Sequence, residues 1–315
     1  MKRRILSALI AAAAAFAFTV STSAQESAMN KTSAPAVARS EAGHIEAGGI
    51  RYYYEIHGKG EPLLLLHGGL GSAGMFAPIL PILAEKRKVI GVDLHGHGRT
   101  ELGSRPIELD AMGRDMATIL DALGLKQADV MGYSMGGGVG FQLALQHPEK
   151  VRRLVLASGL MARDGFYPEI LAQQAHVNAG MAEMMKETPM YQSYAAIAPK
   201  PEDFPKLLDA MGALIAKPFD WSADVPKLKM PVMLVYGDGD MFRLEHIVKF
   251  YQLLGGGLRD AGWKRETMPQ NRLAILPNLT HYDLFLSPEL ARTSLAFLDG
   301  YGKAQSWAEE VKSKK

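Results

Sequence analysis

The feature that most narrows the fold of this chain is a repeated unit, a short uninterrupted apolar run that stops at a loop of small residues. Residues 62–66 (Pro-Leu-Leu-Leu-Leu) stop at His67-Gly68-Gly69, and residues 89–92 at Asp93-Leu94-His95-Gly96-His97-Gly98. Residues 128–131 run into Gly132-Tyr133-Ser134-Met135-Gly136, and residues 232–236 into Gly237-Asp238-Gly239-Asp240. Residues 272–276 end at Pro277-Asn278-Leu279-Thr280-His281. A run without polar alternation has both faces buried, the condition of a strand inside a parallel sheet. Amphipathic helical segments lie between the runs, one over 108–123 and a second ended by His147-Pro148. Strands alternating with helices predict an α/β fold, a mostly parallel sheet with helices on both faces. At 315 residues, 48% apolar and 22% charged, the chain has material for one large core with an elaboration attached.

Three stretches depart from this rhythm. Residues 44–57 read as two short strands broken by Gly48-Gly49, a hairpin. Residues 160–226 hold prolines, methionines and helical patches but no convincing strand, and are expected to form a helical cap or lid over the sheet. Residues 255–270 read as an irregular insertion before the last strand. The expected organisation is a leader and linker (1–24 and 25–43), a core in two pieces (44–159 and 227–302), the cap at 160–226 and a tail at 303–315.

The first 24 residues have the layout of a cleaved secretory signal. Lys2, Arg3 and Arg4 precede an uncharged, alanine-rich run, and Ser21-Thr22-Ser23-Ala24 offers small residues for cleavage after Ala24. The run of 16 residues over 5–20 is shorter than the ~20 that a membrane-spanning helix needs. The expectation is therefore a periplasmic or secreted protein with no membrane attachment once the signal is removed. The leader carries three cations and no anion, so the formal charge of +2 becomes −1 without it. That balance offers nothing to nucleic acid or an acidic membrane. The absence of cysteine rules out disulfides, thiolate metal sites and a cysteine nucleophile.

The strongest chemical signal is Gly132-Tyr133-Ser134-Met135-Gly136. A serine hydroxyl becomes a useful nucleophile only when held beside a base. A sharp strand-to-helix turn presents it, and the turn leaves no room for side chains two residues to either side. The apolar strand before the motif and the helical pattern after it supply that context.

From residue 44 to residue 299 the chain resembles the α/β-hydrolase superfamily. The resemblance is carried by Leu66-His67-Gly68-Gly69, by Asp93-Leu94-His95-Gly96-His97-Gly98-Arg99, by the turn at Ser134, by Gly237-Asp238-Gly239-Asp240 and by Leu279-Thr280-His281, in the superfamily's order of nucleophile, acid and histidine. The resemblance implies a serine hydrolase with Ser134, Asp240 and His281 as a catalytic triad. It places the acid three residues after Gly237, which selects Asp240, with Asp238 as the alternative and a turn residue otherwise. It also implies an oxyanion hole from the backbone N–H groups of Met135 and Gly69, with Leu70 the alternative to Gly69. The implied reaction is cleavage of a small-molecule carboxylic ester or lactone through an acyl-enzyme.

A cofactor-free perhydrolase or acyltransferase would use the same residues, as would a relative of proline iminopeptidases, although those often carry proline where this chain has Leu70. A rival of another class is a ligand-binding protein on a hydrolase fold, which would give no burst of product from an activated ester. Ser134 stands where haloalkane dehalogenases and epoxide hydrolases carry aspartate, which disfavours those chemistries. No cofactor or metal is expected: Gly255-Gly256-Gly257 lacks the lysine and following Ser/Thr of a phosphate loop. The residues Met161, Met181, Met184, Met185, Met190 and Met211, with Phe166 and Tyr167, would suit either the lining of an acyl pocket or ordinary helix packing.

Overall fold

A computed structural model describes residues 39–301. The expected signal (1–24), most of the linker and the tail (303–315) lie outside the described residues. The linker was expected to reach Gly43, but Arg39–Ala47 already forms the first strand, β1. It pairs antiparallel with β2 (Ile50–His57) through the Gly48-Gly49 turn, so the hairpin begins five residues earlier than the hydrophobic pattern suggested. The reason is physical: Arg39, Ser40 and Glu41 are exposed on an edge strand and are held by backbone pairing, which leaves no apolar signature.

The remaining strands are β3 (Glu61–Leu66), β4 (Arg87–Val92), β5 (Ala128–Tyr133), β6 (Val151–Ala157), β7 (Val232–Gly239) and β8 (Arg272–Thr280). Their order across the sheet is β1-β2-β4-β3-β5-β6-β7-β8, antiparallel up to the β2–β4 pair and parallel from β4 to β8.

Period-two alternation assigns each residue of these apolar runs to one of two cores. Leu64, Leu66, Val130, Leu154, Leu156 and Leu234 face one side, where helices α2 (Leu109–Ala122) and α3 (Met135–Gln146) pack. Leu63, Leu65, Met131, Val155, Met233 and Val235 face the other, against α1 (Leu80–Ala84) and the C-terminal helix α9 (Pro288–Leu298). Each fully buried Leu or Val contributes about 1.5–3 kcal/mol, so the unbroken apolar runs are the main stabilising element. Between β6 and β7 the chain forms α4 (Pro168–Gln174), α5 (Ala182–Met185), α6 (Pro189–Ile197) and α7 (Phe204–Ala216). Helix α8 (Leu244–Leu253) follows β7, and residues 255–270 contain neither helix nor strand.

At the other end of the strands, Asp129 is fully buried and accepts hydrogen bonds from Arg87 (2.5 Å) and Arg152 (2.8 and 2.6 Å). These residues lie near the N-terminal ends of β4, β5 and β6. The network ties those ends together and leaves the C-terminal ends free for a site.

Candidate active site

The six parallel strands β3 to β8 are followed by polar residues at one edge, the place where open α/β sheets bind ligands. Ser134 follows β5. Its φ of +52° lies in the left-handed region that side chains other than glycine rarely adopt. The turn is held by the Ser134 N–H donating to Ala157 O (2.9 Å) and by α3 starting at once. A Cβ on Gly132 would lie 2.2 Å from Gly136 O, and one on Gly136 would lie 2.3 Å from Leu66 O. Both contacts are backbone and cannot give way, so the glycines are required by close approach.

Asp240 follows β7 and His281 follows β8. The two are 41 residues apart in sequence and joined by a 3.0 Å hydrogen bond from His281 Nδ1 to Asp240 Oδ1. On the other side of the ring, His281 Nε2 lies 3.0 Å from Ser134 Oγ. A carboxylate only accepts, so Nδ1 carries the proton and Nε2 is left with a lone pair facing the serine hydroxyl. Side-chain exposure is 6% for His281 and 1% for Asp240, so water competes little for either bond. Asp238 is exposed and accepts instead from the Leu279 N–H (3.3 Å). The geometry therefore joins His281 to Asp240 and leaves Asp238 in the turn.

Asp240 is held at two further points. Its Oδ1 also accepts from the Met241 N–H (2.8 Å), and its Oδ2 accepts from the Ser158 hydroxyl. Tyr133, the residue before the serine, donates its phenolic O–H to the carbonyl of His281, and its ring lies 5.2 Å from the imidazole. Burial, reinforced by the negative charge of Asp240, pushes the Tyr133 phenol above its ordinary range, so it stays an O–H donor.

The His67-Gly68-Gly69 loop lies against the serine turn: a Cβ on Gly68 would come 2.7 Å from the Tyr133 ring and 3.3 Å from Ser134 Cβ. His67 fixes this loop. Its Nδ1 donates to Gly68 O (2.7 Å) while Nε2 accepts from the Leu94 N–H (2.8 Å), which defines a neutral imidazole. Burial lowers its pKa to about 4, against a smaller raising effect from the Gly68 carbonyl. Asp93 braces the same region by accepting from the N–H groups of Ala73 (2.7 Å) and Arg99 (2.8 Å). Leu70, the next residue along, has φ +56°. Met135 opens α3, so its N–H is among the first-turn amides that lack a partner four residues back.

Over this loop the methyl of Met211, from α7, would lie 3.0 Å from a Cβ on Gly69. Met161, Met185, Met211 and Phe166 are buried in one cluster, Met181 and Met190 are partly buried, and Met184 and Tyr167 are exposed. Among the described residues no group of three or more His, Asp or Glu side chains could hold a metal ion.

Ser158, Tyr133 and His67 were not singled out from the sequence for the parts they play here. Ser158 follows its strand as Ser134 does, and a serine at a strand end beside a glycine was the one signal available.

Residues 61–189 match a family model described as the alpha/beta hydrolase fold. The 2-hydroxymuconate semialdehyde hydrolase of Pseudomonas sp. strain CF600 is 31% identical over 268 residues, 69% of this chain and 93% of that protein. RutD of Azorhizobium caulinodans, assigned as a carbamate hydrolase, is 42% identical over 123 residues, 39% of this chain. The chain spans less than half the length of the RutD proteins it matches, 46% of that from Azorhizobium caulinodans and 42% of that from Caulobacter segnis. Among solved structures, the carboxylesterase CesB of Bacillus subtilis superposes with a TM-score of 0.63 at 21% identity over 84% of this chain and 93% of its own. The enol-lactonase of Burkholderia xenovorans LB400 does so with 0.60 at 19% identity over 82% and 100%. These two likenesses bear on the fold alone.

Proposed function

The chain belongs to the α/β-hydrolase family, and from that premise we propose that it is a serine hydrolase acting on a carboxylic ester or lactone, with Ser134, His281 and Asp240 as nucleophile, base and acid. One observation carries the reading: a single imidazole hydrogen-bonds the Ser134 hydroxyl through Nε2 and the Asp240 carboxylate through Nδ1, both at 3.0 Å. The chemistry follows from that proton inventory. As Ser134 Oγ bonds to the acyl carbon, its proton passes to His281 Nε2, and Asp240 stabilises the imidazolium. The former carbonyl oxygen becomes negative and is met by the N–H groups of Met135 and Gly69, with Leu70 as the alternative donor in place of Gly69. When the bond to the alkoxy oxygen breaks, His281 returns the proton to the leaving alcohol. A water then gives its proton to Nε2 and attacks the acyl-enzyme. The acid departs as Ser134 Oγ regains its proton.

The segment 160–226 is proposed as a cap over this edge, and the leader as an export signal that places the protein in the periplasm or outside the cell. N-terminal sequencing of the exported product beginning at Gln25 would support the second statement, and retention of residues 1–24 would contradict it. Function is tested by a hydrolysis panel of esters, lactones, thioesters, amides and carbamates. The panel includes 2-hydroxymuconate semialdehyde, because a relative is named for it. Turnover of an ester or lactone that disappears in Ser134→Ala supports the reading. Equal turnover in the variant rejects it.

A further inference from the structure

Ser158 stands directly after β6 as Ser134 stands directly after the neighbouring β5. It is fully buried, with 0% exposure, and has φ +47°. A left-handed conformation costs a residue with a Cβ about 1–2 kcal/mol, and glycine adopts it freely. A turn needing only this backbone shape would be better served by glycine, so the side chain must be accounted for by what it touches. Its hydroxyl donates to Asp240 Oδ2. The other oxygen, Oδ1, already accepts from His281 Nδ1 at 3.0 Å and from the Met241 N–H at 2.8 Å. The backbone on each side of the hydroxyl is fixed as well. The Ser158 N–H donates to Val235 O at 2.8 Å, and the buried Tyr236 hydroxyl donates to Gly159 O at 2.5 Å.

We propose that Ser158 is a positioning residue for the acid of this site: its hydroxyl clamps the second oxygen of Asp240, so that the carboxylate cannot turn about its Cβ–Cγ bond and Oδ1 stays aimed at His281. The inference rests on the serine-hydrolase reading of the site. Without the hydroxyl, a carboxylate 1% exposed keeps its donors on one oxygen only. The lost bond is of the kind made to an ionised acceptor, and its loss corresponds to a fall in rate of about ten- to a hundredfold if felt fully in the transition state.

The experiment compares Ser158→Gly, Ser158→Ala and Ser158→Cys with the wild type and Ser134→Ala, using p-nitrophenyl butyrate turnover, the rate of Ser134 labelling by a fluorophosphonate, and thermal unfolding. Glycine and alanine both remove the hydroxyl, but only glycine also relieves the left-handed backbone. The expected result is kcat reduced about ten- to a hundredfold in both, with KM within about twofold and labelling slowed in parallel. Cysteine, a weak donor, falls between them and the wild type. The glycine variant unfolds at or above the temperature of the alanine variant, so its lost rate is not lost folding. If Ser158→Gly keeps kcat within twofold while Ser134→Ala is inactive, the assignment of Ser158 is overturned and the serine-hydrolase reading stands. If Ser134→Ala hydrolyses the ester as fast as wild type, that reading falls and takes the Ser158 inference with it.

Discussion

Acidification should loosen this protein through the histidine that holds the Gly68-Gly69 loop. His67 is fully buried and its ring is used as a neutral imidazole, donor at Nδ1 and acceptor at Nε2. Burial lowers its pKa from 6.5 to about 4. Because the folded value lies below the unfolded one, the unfolded chain takes up the proton first as pH falls. The stabilisation is therefore complete above pH 6.5 and is lost between 6.5 and about 4. At 1.36 kcal/mol per pH unit, the whole window corresponds to about 3 kcal/mol, of which about 2 kcal/mol is gone at pH 5. Against a total stability of about 5–15 kcal/mol this is a measurable share.

Protonation also puts an N–H where Nε2 now accepts from Leu94, so the loop should be released locally as stability falls. The assay is urea unfolding at pH 7.5, 6 and 5 for wild type and His67→Gln, whose Oε1 keeps an acceptor near the Nε2 position. Wild type should lose about 2 kcal/mol more than the variant between pH 7.5 and 5. Equal losses in the two proteins would refute the role given to His67.

Two further outcomes follow from named contacts. Tyr133→Phe removes the hydrogen bond to the His281 carbonyl while keeping the ring in place. Steady-state kinetics should show kcat down by about tenfold with KM little changed, the cost of one hydrogen bond in the reacting geometry. Asp129→Ala strips one of two carboxylate partners from Arg87, which is 2% exposed and keeps Asp299; chemical denaturation should show a loss of about 3 kcal/mol, with kcat of the folded fraction unchanged because the network lies at the far end of the strands.

The sequence exposed the fold where burial is complete. The runs at 62–66, 128–131 and 232–236 are apolar on both faces because helices cover both faces, and β3, β5 and β7 cover those residues. It was less informative where strands meet water: β1 starts at Arg39 with polar, exposed residues that pair through the backbone and through side-chain hydrogen bonds to β2, neither of which leaves an apolar pattern. Ser134, Asp240 and His281 were legible because glycine spacing and chain order mark them, and their union by one imidazole is a property of the folded sheet. The resemblance favoured Asp240 over Asp238, which shares its loop, and the folded structure agrees, since only Asp240 points inward. Ser158 was illegible for a related reason. Its partner lies 82 residues away, and a lone serine after an apolar strand carries no spacing that reports such a contact. The methionines of the insertion divided in space, Met211 turning toward Gly69 and Met184 toward solvent, which helical pattern alone did not separate.

The most direct test of the central claim is to map where a fluorophosphonate attaches to the protein. The hydroxyl that faces His281 Nε2 at 3.0 Å should carry the label, so the modified peptide should contain residues 132–136 with the adduct on Ser134, and labelling should cease in Ser134→Ala. An adduct on any other side chain, or undiminished labelling of the Ser134→Ala protein, would contradict the account.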